Sequence, residues 1–149
     1  MNKFILLILL LNFLYLSNTW AVSCIVNSSG LNFGSFNVLT DNNADSMGTI
    51  SVACDASTSY TIELSQGNSG AFTVRRMTNG GYSLEYNLYT DATYQSVWGN
   101  GIAGSMMVSG STSDTLPTNH TVYGRIPLNT QRSAMSGSYN DSITITVTY

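Results

Sequence analysis

At the end of the chain Ile143, Ile145, Val147 and Tyr149 alternate with Ser142, Thr144, Thr146 and Thr148. A period of two sends successive side chains to opposite faces of an extended backbone, so the pattern predicts a strand with one apolar and one wet face. A strand needs a partner laid down earlier, and no later residue can cover its second edge. The chain is thus constrained to a β fold, and it faces one question: whether that fold closes itself or takes a strand from elsewhere.

At the other end, Lys3 precedes an apolar run over residues 4–11 that resumes after Asn12 through residues 13–16, and Thr19-Trp20-Ala21 reads as a small-residue cleavage site. This is the layout of a secretory signal peptide over residues 1–21, too short and wrongly flanked for a membrane anchor. Residues 22–149 are one domain's worth of chain. They hold no second hydrophobic run of spanning length, so export without membrane insertion is expected.

Charge narrows the partners. Only 9% of residues are charged, against about 25% in an average domain. Lys3 is the one lysine, and Arg75, Arg76, Arg125 and Arg132 face eight carboxylates. No basic patch can be assembled from these, which argues against nucleic acid and anionic lipid.

The two cysteines, Cys24 and Cys54, lie in a chain expected to reach an oxidising compartment, where pairing is favoured. Closing a loop of about 30 residues stabilises a fold by about 3 to 4 kcal/mol in the chain-entropy picture. Two thiols and the distant His120 make a poor zinc set, and Ala21-Val22-Ser23-Cys24 lacks a lipoprotein signature.

Along the chain, residues 24–26 begin a first strand that resumes over 31–36, with Leu31 and Phe33 on one face. Residues 40–46 read as a polar loop; Asp41, Asn43 and Asp45 imitate a calcium loop there, but Ser46 replaces its glycine and Val52 its closing Glu. Strands follow over 49–54, with Ile50, Val52 and Cys54 inward, and over 60–64. Residues 71–77 and 82–89 flank Asn79-Gly80-Gly81, a hairpin signal. Residues 90–119 form an excursion of loops and short strands, 120–126 return to alternation, and 127–136 loop into the final strand. Helical periodicity is nowhere sustained, and an all-β sandwich is expected.

Jointly these pieces resemble the spore coat protein U domain family, which includes subunits of archaic chaperone-usher pili. The resemblance is carried by Cys24, Leu31-Asn32-Phe33-Gly34, Gly48-Thr49-Ile50-Ser51-Val52-Ala53-Cys54, Arg76-Met77 and Leu84-Glu85-Tyr86-Asn87-Leu88-Tyr89. It continues through Val97-Trp98-Gly99-Asn100-Gly101, Tyr123-Gly124-Arg125-Ile126 and Gly137-Ser138-Tyr139-Asn140-Asp141 into the last strand.

The resemblance implies an immunoglobulin-like antiparallel β-sandwich lacking its last strand, with a disulfide joining the first two strands. It implies a periplasmic chaperone, an outer-membrane usher and neighbouring pilus subunits as partners, transit through the periplasm to the cell surface, and a role in adhesion or biofilm formation. By β-augmentation a donated strand would then lie in a groove lined by Ile143, Ile145, Val147 and Tyr149. One departure matters: after cleavage only Val22 and Ser23 precede Cys24, whereas a strand needs about five residues. The expected subunit accepts a strand without donating one, as a terminal or minor subunit does; the alternative is a self-contained secreted coat or surface-binding protein.

For catalysis, metals and cofactors the expectation is none. His120 is the lone histidine, no Gly-x-Ser-x-Gly elbow is present, and Asp41 and Asp45 make no acid-base pair. A surface-binding loop built from Tyr94, Trp98, Met106 and Met107 competes with a reading in which Tyr86 and Trp98 fill the core. Arg75 and Arg76, adjacent on a strand, face opposite sides, so at most one can meet a buried carboxylate.

Overall fold

The computed structural model describes residues 21–113, 116–131 and 134–149; residues 1–20 of the expected leader, and Arg132, lie outside them. Among the described residues eight strands are formed: β1 (Cys24–Ser28), β2 (Ala44–Cys54), β3 (Thr58–Leu64), β4 (Arg75–Asn79), β5 (Tyr82–Tyr89), β6 (Val108–Thr112), β7 (Thr118–Ile126) and β8 (Ile145–Thr148). They build a five-stranded sheet in the order β1-β2-β7-β5-β4 and a three-stranded sheet in the order β6-β3-β8. Every strand pairing is antiparallel.

Alternation explains which residues meet. Ile50, Val52 and Cys54 of β2, Tyr60, Ile62 and Leu64 of β3, Leu84 of β5, and Val122 and Ile126 of β7 are buried together with Trp98 and Leu128. Burying each such side chain is worth about 1.5 to 3 kcal/mol. The Cys24–Cys54 disulfide is formed, between residues directly opposite each other in the β1–β2 ladder. The β4–β5 hairpin turns on Gly80 and Gly81 as its sequence predicts, with Asn79 opposite Tyr82 and Gly80 at φ 57° in the left-handed region.

Several stretches differ from expectation: the final alternation forms a strand only over Ile145–Thr148, and of residues 71–77 only those from Arg75 onward are strand. Residues 44–46, read as loop, belong to β2, because Ala44, Ser46 and Gly48 continue its inward parity and β7 supplies partners as far as Ala44 opposite Ile126. Residues 31–36, read as strand, form none. After Ser29 the chain leaves the sheet edge through Gly30, at φ 66°, and crosses the inner face instead.

Candidate functional site

The two sheets enclose a cleft of about 990 Å³. Its floor comes from the five-stranded sheet, with Leu84, Tyr86 and Leu88 on β5 and Val122 and Ile126 on β7; Leu64, Ile143 and Ile145 face them. One rim is formed by Leu31, Phe33, Phe36 and Val38, and the other by Met135 and Tyr139. The floor residues are themselves buried core, while Ile143 and Ile145 are half-buried at the wall.

β8 forms one wall. Its only strand partner is β3, with Thr61 opposite Thr148 and Leu64 opposite Ile145, and its other edge borders no strand among the described residues. The approach to β8 is pinned at both sheets. Thr78 and Asn140 exchange backbone hydrogen bonds at the β4 edge, while Ser65 N donates to the Thr144 carbonyl and Thr144 N to Ser65 Oγ. The last thirteen residues therefore tie one side of the molecule together before presenting an open edge.

Of the residues expected in a groove, Ile143 and Ile145 line the cleft. Val147 packs on the core farther along, and Tyr149, 54% exposed, lies beside a shallow hollow shared with Tyr60 and Gly110. Alternation put all four on one face. It could not show that the strand outruns the cleft.

A polar bracket supports the wall. The Tyr86 hydroxyl donates to Asp141 Oδ2 at 2.8 Å, and Asp141 Oδ1 accepts from Asn68 N and Ser142 N. Burial, aided by the carboxylate of Asp141, pushes the Tyr86 phenol far above its ordinary range, so it remains a donor. Behind the cleft the fully buried Arg75 donates to the carbonyls of Ser65 and Trp98 and to Asn87 Oδ1. Desolvation lowers its pKa, yet its acceptors are all neutral oxygens. Arg76 faces the other way and pairs with the partly exposed Glu85 at 2.8 Å. Neither arginine meets a buried carboxylate.

The aromatic and methionine set is dispersed. Trp98 is 1% exposed and donates its indole N–H to the Ile62 carbonyl, so it fills the core and takes no part in a surface loop. Tyr94 lies over the Arg125 guanidinium at 3.6 Å, edge-on to Tyr89 and Tyr123, on the outer face of the five-stranded sheet. Arg125 in turn grips Asp45 through two 2.7 Å bonds, which hold that carboxyl below its usual range. Met106 and Met107 are exposed, with Ile102, in the loop before β6.

His120 Nε2 hydrogen-bonds the Tyr60 hydroxyl at 2.8 Å, and burial lowers its pKa. No group of three or more His, Cys, Asp or Glu residues could hold a metal among the described residues.

The model of the Spore Coat Protein U domain matches residues 11–146. Protein U of Myxococcus xanthus is 33% identical over 132 residues, covering 80% of this chain and 71% of that protein. A chain in the crystal structure of the CsuC–CsuE complex, a chaperone with a tip adhesion subunit of the archaic chaperone-usher Csu pili of Acinetobacter baumannii, superposes with a TM-score of 0.59. It is 19% identical, and the match covers 87% of this chain and 40% of that one. That likeness is one of fold.

Proposed function

The chain belongs to the spore coat protein U domain family, and from that premise we propose that it is an exported, non-enzymatic subunit of a surface fibre whose cleft accepts a β-strand from a partner. On this reading the domain is an immunoglobulin-like sandwich short of its last strand. The observation that carries it is an edge of β8 that pairs with no strand among the described residues, beside an apolar cleft lined by Ile143, Ile145, Tyr86 and Leu88.

The mechanism follows from β-augmentation. An incoming strand satisfies the backbone N–H and C=O groups of β8, and its alternate apolar side chains enter the cleft. A periplasmic chaperone supplies the strand after export, an outer-membrane usher passes the subunit on, and a neighbouring subunit replaces the chaperone in the fibre, which serves adhesion or biofilm formation. The 71% coverage of Protein U and the fold shared with a chain of a pilus chaperone–subunit complex support this reading.

A terminal or minor position follows if the leader is cleaved after Ala21, since Val22 and Ser23 alone cannot form a donor strand. A mature N-terminus located by mass spectrometry well upstream of Val22 argues against that position.

The test of strand acceptance uses a labelled synthetic peptide of about ten residues, a strand's length or more, alternating valine with threonine. Binding to residues 22–149 is expected to weaken roughly tenfold or more in Ile145→Asp, which buries a charge at the cleft wall. Tyr149→Ala, beyond the cleft, is expected to leave it unchanged. Equal binding by both variants, or none by the unaltered protein, contradicts the proposal.

One observation favours a second reading, a self-contained secreted coat or surface-binding protein: the apolar side chains of residues 31–38 already rest against the core beside the cleft.

A further inference from the structure

We infer that residues 30–38 are a displaceable plug of the cleft, seated on two glycines of the sheet beneath and released when a donated strand enters. The inference rests on the strand-accepting reading above.

The seat is built into the strands. Gly48 lies within β2 and Gly124 within β7, interior positions where glycine weakens a strand unless another group must come close. Here one does. A Cβ on Gly124 would come within 2.9 Å of the Phe33 ring and closer to Leu31, and one on Gly48 would meet the Gly30 carbonyl oxygen at 2.5 Å and Leu31 at 3.0 Å. The missing side chains form hollows that admit Leu31 and Phe33 onto the sheet. Phe33 then reaches the cleft floor, edge-on to Tyr86 with ring centroids 6.1 Å apart. Phe36 and Val38 continue along the rim, half-buried like the two before them.

What holds the segment differs from what holds its neighbour. β1 is fixed to β2 by five residue pairs and the Cys24–Cys54 disulfide, and Ser29 N still bonds the Thr49 carbonyl at 3.0 Å. Past Gly30 the ladder stops. The Asn32 carbonyl accepts from Ser46 Oγ, while Gly34 N and Asn37 N are satisfied locally by Asn32 Oδ1 and Asp41 Oδ2. Four half-buried apolar side chains supply most of the attachment. Hydrophobic burial is non-directional, so a donated strand that presents its own apolar side chains can replace them without breaking a ladder. The hinge is Gly30, and β1 stays in place.

The plug also reconciles the two functional readings. A subunit without a partner shields its cleft with its own chain, and one with a partner exchanges that cover for a better one.

The experiment adds the unlabelled valine–threonine peptide to the oxidised domain and reads two things: hydrogen exchange at β8, and chymotryptic cleavage after Phe33 and Phe36 followed by mass spectrometry. The peptide itself offers chymotrypsin no site. Slower exchange at β8 with cleavage at least tenfold faster is the expected result. Slower exchange at β8 with unchanged or slower cleavage rejects the plug and leaves strand acceptance standing. Protection of β8 only in Leu31→Ser/Phe33→Ser shows a fixed cover that a strand does not displace, and overturns the plug. No protection of β8 in either protein rejects strand acceptance, and the plug with it.

Discussion

Arg75 is the residue whose loss the fold should feel most. Its guanidinium joins the end of β3 at Ser65, the Trp98 loop and Asn87 on β5. Arg75→Ala leaves the Ser65 and Trp98 carbonyls without this donor, while Asn87 Oδ1 keeps the Leu88 N–H, and each unsatisfied buried group costs about 1 to 3 kcal/mol. The expected loss is therefore roughly 3 kcal/mol or more, read by denaturant unfolding. Arg75→Lys should recover only part of it, because one ammonium cannot reproduce the planar fork. Arg76→Ala removes only an exposed ion pair and should stay within about 1 kcal/mol of the parent. Sequence placed the two arginines on opposite faces but not which one was inside. The answer depended on acceptors at Ser65 and Trp98, which no local pattern brings near Arg75. The core reading of Trp98, favoured over a surface loop, holds, but the β3 carbonyl its indole bonds lies beyond any local pattern.

Among the elements, those with a complete local signal were readable. The β4–β5 hairpin follows from Asn79-Gly80-Gly81, and β7 and β8 follow from their alternation. The start of β2 was hidden because its inward positions are Ala44, Ser46 and Gly48, small residues that carry no hydrophobic period. They are small for a tertiary reason: the Gly30 carbonyl and Leu31 need the space over Gly48. For the same reason residues 31–36 imitate a strand while lying across one. In β1 Cys24 is half-buried and the other four residues are exposed, Ile25 at 65%, so the disulfide is its main anchor. Replacing both cysteines by serine should lower stability by about 2 to 4 kcal/mol. The loss should appear in thermal unfolding as a lower midpoint, and in hydrogen exchange as opening of residues 24–28. Unchanged exchange there would show that the ladder alone suffices.

For the whole molecule, an all-β fold with a terminal strand and one disulfide could be read from residue order. The cleft could not, because it is shaped by residues 31–38 and 134–141, irregular segments whose course depends on what they rest against. Its lining by core residues of both sheets is the central physical fact, and the account proposed for it is an unfinished interior that awaits a strand. Anything that binds the folded state alone raises stability by mass action, by about 2.7 kcal/mol at one hundred times Kd. The most direct test is thermal unfolding of oxidised residues 22–149, alone and across a titration of the valine–threonine peptide. The account predicts a shallow, low-temperature transition that sharpens and rises steadily with peptide. A cooperative, high-temperature transition that no amount of peptide moves would mean that the domain closes its own edge.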